Sequence, residues 1–161
     1  MRTNNGKVKN LILSIYFILI ILTIAVTAFA GTFQNLFGSA KVTYVVVPFL
    51  LATVFFITHR IAKYFEYDSD GLQVVIINRG LLISESFNYR EHRVEFEKHH
   101  LKGYKFNDYF FYKSLVIYLD SKSHKPKETF NITLVNRKKR RYIRQSLSKI
   151  IKKNKTLKEQ A

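Results

Sequence analysis

Two long stretches without charge constrain this chain more than anything else in it. Asn10 to Ala40 carries no Asp, Glu, Lys or Arg. Inside it LILSIYFILIILTIAVTAFA, Leu11 to Ala30, has about the length that crosses a ~30 Å hydrocarbon core at ~1.5 Å per residue. A second run, VTYVVVPFLLATVFFITH, extends from Val42 to His59. Lys41 and Arg60 can snorkel at its ends, Tyr44 can sit at an interface, and Pro48 is tolerated where a membrane helix kinks. A soluble core would have to cover both runs, and a chain of 161 residues has too little further protein to do so. The runs therefore predict transmembrane helices over about residues 10–30 and 41–62.

Flanking charge sets the orientation. Arg2, Lys7 and Lys9 precede the first run and Arg60 and Lys63 follow the second, whereas the connecting GTFQNLFGSAK carries only Lys41. The excess of cations on the cytoplasmic side of membrane helices then puts both termini in the cytoplasm. Ala28-Phe29-Ala30 is similar to a signal-peptidase site, but the apolar run exceeds the roughly 7 to 15 residues of a signal core, which favours an anchor over a cleaved leader.

Beyond Lys63 the apolar runs shorten and turn residues separate them, which is a strand pattern. Strands are expected at residues 64–67, 72–78, 81–89, 91–97, 101–106, 113–119 and 128–135. The turns between them are DSDG (68–71), NRG (78–80), ND (107–108) and SKSHKP (121–126). In the last strand Phe130, Ile132 and Leu134 alternate with Asn131 and Thr133, giving one buried and one polar face. After Val135 the period becomes helical: Ile143, Leu147, Ile150 and Ile151 make one apolar stripe, and Asn136 is placed to cap the helix start. Arg137, Lys138, Arg141, Lys149 and Lys152 project from the opposite side at 100° per residue.

About seven antiparallel strands closed by a C-terminal amphipathic helix is the pleckstrin-homology (PH) arrangement. Through FEYDSDGL, FNYREHRVEF, FYKSLVIYL and FNITLVNRKKRRYIRQSL the chain resembles bacterial PH-like domains joined to a two-helix membrane hairpin. The resemblance implies an α+β membrane protein. Two transmembrane helices in residues 1–63 would precede a seven-stranded PH-like β-barrel or sandwich in 64–153 and a basic tail in 154–161. It also implies a non-enzymatic binding or scaffolding role. Phosphoinositide binding is not carried over, because the first hairpin loop is Asp68-Ser69-Asp70-Gly71 rather than basic.

The formal net charge of +16 bears on partners, and residues 136–161 concentrate it, with eleven Lys and Arg against one Glu. Cations at a helix N-terminus oppose the macrodipole at a cost of about 0.3 to 1 kcal/mol per first-turn charge. An anionic leaflet attracts each nearby Lys or Arg by roughly 1 kcal/mol. Arg137, Lys138, Arg141, Lys149 and Lys152 are thus the expected contact with anionic lipid headgroups or an acidic membrane protein. A membrane tether for nucleic acid is the competing reading, weakened by the lack of a recognised reading motif. An accessory subunit of a transporter or envelope enzyme is another. Glu95, Glu97 and His99 read as ordinary surface rather than metal ligands. No nucleophile elbow, phosphate loop or HExxH motif appears, so neither catalysis nor a cofactor is expected. Tyr109 to Tyr112, four consecutive aromatics, are expected to pack mainly in the core. The alternative is a contact with the membrane interface or with a second copy, since four in a row cannot all face inward from one strand.

Overall fold

The computed structural model describes residues 1–29, 40–80, 91–120 and 125–159. The two apolar runs are helices, α1 (Gly6–Ala28) and α2 (Ala40–Ile61). Their hydroxyls fold back onto the preceding turn, with Thr23 Oγ1 donating to Leu19 O at 2.7 Å and Thr58 Oγ1 to Val54 O at 2.8 Å. Such back-bonding hides polar groups that an apolar surround would leave unmet. Tyr16 packs on Phe55 with ring centroids 4.9 Å apart, while Phe17, Ile18, Phe49 and Phe56 point outward. Among the described residues α1 alone is long and apolar enough to cross a membrane, and the apolar stretch of α2, Tyr44–His59, is shorter. Of the two transmembrane helices expected, the described residues thus supply one candidate span, α1.

Lys7–Arg60 forms one compact unit, and Met1–Gly6 together with Ile61–Ala161 forms another. The first residues are therefore not a free tail. Arg2–Asn4 is a strand, β1, aligned antiparallel with β2 (Lys63–Asp68), so that Thr3 lies opposite Tyr67. Strands β3 (Gln73–Gly80) and β4 (His92–Glu97) extend this sheet in the order β1-β2-β3-β4. A 3-10 turn, Lys98–His100, leads to a second antiparallel sheet of β5 (Leu101–Asp108), β6 (Lys113–Leu119) and β7 (Lys127–Asn131). Helix α3 (Arg137–Glu159) follows.

Seven strands are thus present among the described residues, but in two sheets and not in a single barrel, since no ladder joins β4 to β5 or β1 to β7 there. The expected strand at 81–89 lies outside the described residues. The last strand stops at Asn131 rather than at 135, and Ile132 to Val135 form a turn closed by Val135 N–H on Ile132 O at 2.9 Å.

One core serves both sheets and the helix. Phe65, Tyr67, Val74 and Ile76 come from the first sheet, Leu115, Ile117 and Phe130 from the second, and Ile143 and Leu147 from α3. Asn136 caps α3 as expected, its Oδ1 accepting from Lys139 N–H at 2.9 Å. Two hydroxyl pairs fasten the helix to one sheet each: Tyr67 with Ser146 at 3.0 Å and Tyr104 with Ser148 at 2.6 Å.

Three buried asparagines complete the frame. Asn5 holds β2 through Nδ2 on Lys63 O and through Oδ1 accepting from Phe65 N–H, both 2.9 Å. Asn78 Nδ2 donates to Asn131 O at 2.9 Å and to Tyr64 O at 3.0 Å, and its Oδ1 accepts from Asn131 N–H at 3.1 Å. Asn131 Nδ2 reaches Ile61 O at 2.9 Å. Asn131 is therefore not on a polar face, as the alternation suggested. Its amide turns inward because the strand ends there and leaves backbone groups to be met. Replacing a partner of buried backbone groups costs about 1 to 3 kcal/mol per group left unmet. Asn78→Ala, which leaves Asn131 N–H and C=O without these partners, should destabilise the protein by about 2 to 4 kcal/mol in urea unfolding of the full chain in detergent. Asn136→Ala, which loses only the helix cap, should cost about 1 kcal/mol.

Candidate functional site

The apolar stripe of α3 is held in the core, so the five cations singled out from the sequence are turned outward. Arg137, Lys138, Arg141, Lys149 and Lys152 are all exposed, and none has an ion-pair partner among the described residues. They share a face but not a place: Lys149 and Lys152 lie roughly 12 to 16 Å farther along the axis than Arg141, at ~1.5 Å per residue. The neighbouring cations that the pattern did not single out are engaged. Arg140 Nη1 pairs with Asp108 Oδ2 at 3.1 Å, Lys139 Nζ donates to the Asn4 carbonyl, and the Arg144 guanidinium lies 5.0 Å from the centre of the Phe106 ring.

Asp108 is the hinge of this arrangement, because Lys113 Nζ also pairs with it, at 3.0 Å. The hydrogen bond from Lys113 chiefly holds its carboxyl below the ordinary aspartate value; burial partly offsets this, and the bond from Arg140 lowers it further. The clamp between β5 and the start of α3 is therefore fully charged at neutral pH, and it is lost only as pH falls below the usual carboxylate range.

Between Asp108 and Lys113, Tyr109, Phe110, Phe111 and Tyr112 form the tip of the β5–β6 hairpin, closed by Tyr109 N–H on Tyr112 O at 2.9 Å. They are not in the core. Phe110 is 90% exposed, Phe111 71% and Tyr109 62%. The ladder runs through Asn107 and Asp108, opposite Ser114 and Lys113, so the turn expected at those two residues falls instead on the aromatics. The signal was present in the sequence, since four consecutive aromatics cannot all face one side of a strand.

This tip lies at the end of the unit where the chain departs for the apolar helices. Ile132 N–H donates to Lys113 O at 2.9 Å, Asn131 holds Ile61, and Lys139 holds Asn4, while Asp108 binds Arg140. Residues 5–6, residues 61–63, the start of α3 and the aromatic tip are thereby gathered at one end.

At the other end an open groove of ≈ 730 Å³ separates the β2–β3 turn from the last turns of α3, with Leu72, Val75, Ile150 and Leu157 on its walls and Glu95 and Glu97 among its charges. The DSDG turn there is closed by Asp70 N–H on Asp68 Oδ1 at 2.9 Å. His99 is in the 3-10 turn rather than on the strand face, with Nδ1 3.1 Å from Glu97 Oε2. Among the described residues no three of His, Asp or Glu gather in a way that could hold a metal ion.

On the outer face of the first sheet Tyr64 donates to Glu66 Oε2 at 2.8 Å, and the Arg79 guanidinium covers its ring at 4.6 Å. Burial first, and the bond to Glu66 second, push the Tyr64 phenol up to about 12. Compared with protein-family models, with curated proteins and with solved structures, the chain shows no match.

A phenol whose pKa is higher folded than unfolded favours the fold while it stays protonated. Here that contribution is complete below the ordinary tyrosine value of about 10 and fades as pH rises towards 12. An absorbance titration should show Tyr64 ionising after the exposed tyrosines, alongside Tyr67, whose phenol burial also pushes up, and Tyr64→Phe should shrink that late step by one tyrosine.

Proposed function

We propose that the protein is a membrane-anchored, non-enzymatic binding or scaffolding module. In this reading α1 and α2 are a transmembrane hairpin in a bacterial inner membrane, and the two-sheet unit is a PH-like domain on its cytoplasmic side. The exposed basic face of α3 engages anionic lipid or an acidic protein partner.

The observation that carries the reading is the antiparallel pairing of β1 with β2, strands that precede α1 and follow α2. A folded sheet cannot be divided by a bilayer, so both ends of the helical pair belong on one side, as a hairpin that crosses and returns requires. A leader removed after Ala30 would take β1 and the buried Asn5 with it. The outward apolar side chains of α1 and α2 suit lipid rather than water. For α2, whose apolar stretch is short, Arg60 and Lys63 can snorkel and the bilayer can thin at a modest cost.

Sheets of four and three antiparallel strands followed by a packed C-terminal helix support the PH-like description. The five cations without an ion-pair partner among the described residues support the partner class. A face meant only for solubility would have no reason to stack positive charge where the helix dipole is already positive.

The chain has no cysteine of its own, so single introduced thiols report the topology. In sealed cells, Asn35→Cys should react with a membrane-impermeant maleimide and Leu72→Cys only after the membrane is opened; both reacting alike in sealed cells would refute the hairpin. For the partner, in-cell crosslinking followed by gentle detergent extraction should recover anionic lipid or an acidic membrane protein. Neutralising Arg137, Lys138 and Arg141 to Gln should abolish that recovery while leaving the fold at least as stable, with a gain of about 0.3 to 1 kcal/mol for each first-turn charge removed. Recovery of DNA or RNA instead would favour the nucleic-acid tether.

A further inference from the structure

The hairpin tip Tyr109-Phe110-Phe111-Tyr112 is unusual on two counts. Two-residue and four-residue hairpin turns draw on Gly, Asn, Asp and Pro, whose backbones suit tight reversal, and this one uses none of them. Two phenylalanines at the extreme of an exposed loop also expose apolar area that water disfavours, with Phe110 and Phe111 meeting edge to face at 4.5 Å rather than turning inward.

The loop is rigidly mounted. Tyr109 N–H closes it, and Asp108 at its base is held by Lys113 and Arg140 together. The Arg140–Asp108 pair ties the start of α3, which carries the exposed Arg137, Lys138 and Arg141, to the base of this hairpin. Both chain connections to the apolar helices leave from this same end, at Gly6 and at Ile61.

From these placements we infer that the β5–β6 tip is a bilayer-interface anchor: Phe110 and Phe111 enter the headgroup–acyl boundary, Tyr109 and Tyr112 sit at headgroup level, and Arg137, Lys138 and Arg141 meet anionic phosphates beside them. The order Tyr-Phe-Phe-Tyr suits that gradient, with the apolar rings deepest and the hydroxyls at the wet border. Continuity selects the bilayer over other occupants. Covalent connections a few residues long hold this end of the unit at the membrane whatever else the protein meets. Tethering by helices leaves the domain free to rotate about its connections, and a third point of attachment would fix which face of it looks into the cytoplasm. The open groove between Leu72 and Leu157, at the far end, would then be held away from lipid and towards soluble partners.

The inference rests on the membrane reading above, and the chain's lack of tryptophan allows the two to fail separately. Phe110→Trp, Phe17→Trp in α1 and Leu72→Trp at the far end each give the full-length protein a single indole. Each is reconstituted into phosphatidylglycerol–phosphatidylcholine vesicles with and without bromine near the carboxyl end of the acyl chains. Phe110→Trp should emit to the blue and lose most of its intensity to brominated lipid, whereas Leu72→Trp should keep water-like emission. An unquenched Phe17→Trp would overturn the membrane reading itself. A quenched Phe17→Trp beside an unquenched Phe110→Trp would overturn the anchor alone. If Phe110→Trp shifted to the blue yet ignored the bromine, the tip would be a contact between copies of the chain. Adding Arg137→Gln and Lys138→Gln should weaken the Phe110→Trp quenching in these anionic vesicles, and unchanged quenching would remove the cations from the account.

Discussion

The rest of the structure depends on three amide side chains that behave as backbone. Asn5, Asn78 and Asn131 each present a donor and an acceptor to the main chain, as a neighbouring strand would, at places where no strand continues. Asn5 secures the chain just before it enters α1, and Asn131 secures Ile61 where it leaves α2. Asn78 links the first sheet to the second. Burial makes these bonds decisive, because an amide or carbonyl left unmet in a low-dielectric interior costs more than the bond itself contributes. Aliphatic packing decides that a core exists. The asparagines decide where the chain leaves and re-enters the sheet unit, at Asn5 and at Ile61.

Helix α3 draws its position from apolar contacts and its character from charge. Ile143, Leu147 and the Ser146 and Ser148 hydroxyls bind it to both sheets, which leaves the opposite side no choice but to face outward. Six of the eight residues from Arg137 to Arg144 are cationic, yet the structure treats them unequally. Arg140 and Lys139 are spent within the fold on Asp108 and Asn4, and Arg144 lies over an aromatic ring. What is left facing outward is narrower than the charge count suggests. It divides into a cluster at the helix start and a pair farther along.

Periodicity made much of this legible. The period-two runs in residues 64–67, 72–78, 91–97, 101–106 and 113–119 became strands within a few residues of their expected limits, and the stripe through Ile143 and Ile150 became the inner face of α3. The errors have physical causes. Arg2–Asn4 is too short to show alternation, and its partner strand lies some sixty residues away, so β1 was invisible. Asn131 looked solvent-facing because alternation counts residue type and cannot see a backbone gap that an amide will fill. Turn chemistry pointed to Asn107-Asp108, but the register carried the strand through both and forced the reversal onto aromatics. The division into two sheets follows from the Lys98–His100 turn, whose sequence KHH carries no marker for it. Among the cations, only coordinates could separate those paired internally from those left outward.

The pairing of β1 with β2 also orders events in time. The ribosome delivers β1 first, then both apolar helices, and only afterwards the strand that β1 must join. Until α2 has emerged and the chain has come back, β2 offers an unpaired edge, the kind of surface on which chains aggregate or are degraded. A chain whose first residues and β2 ended up apart could not complete this sheet. Its completion thereby reports that the two ends of the helical pair have come together, with Asn5 as the latch that closes when they do.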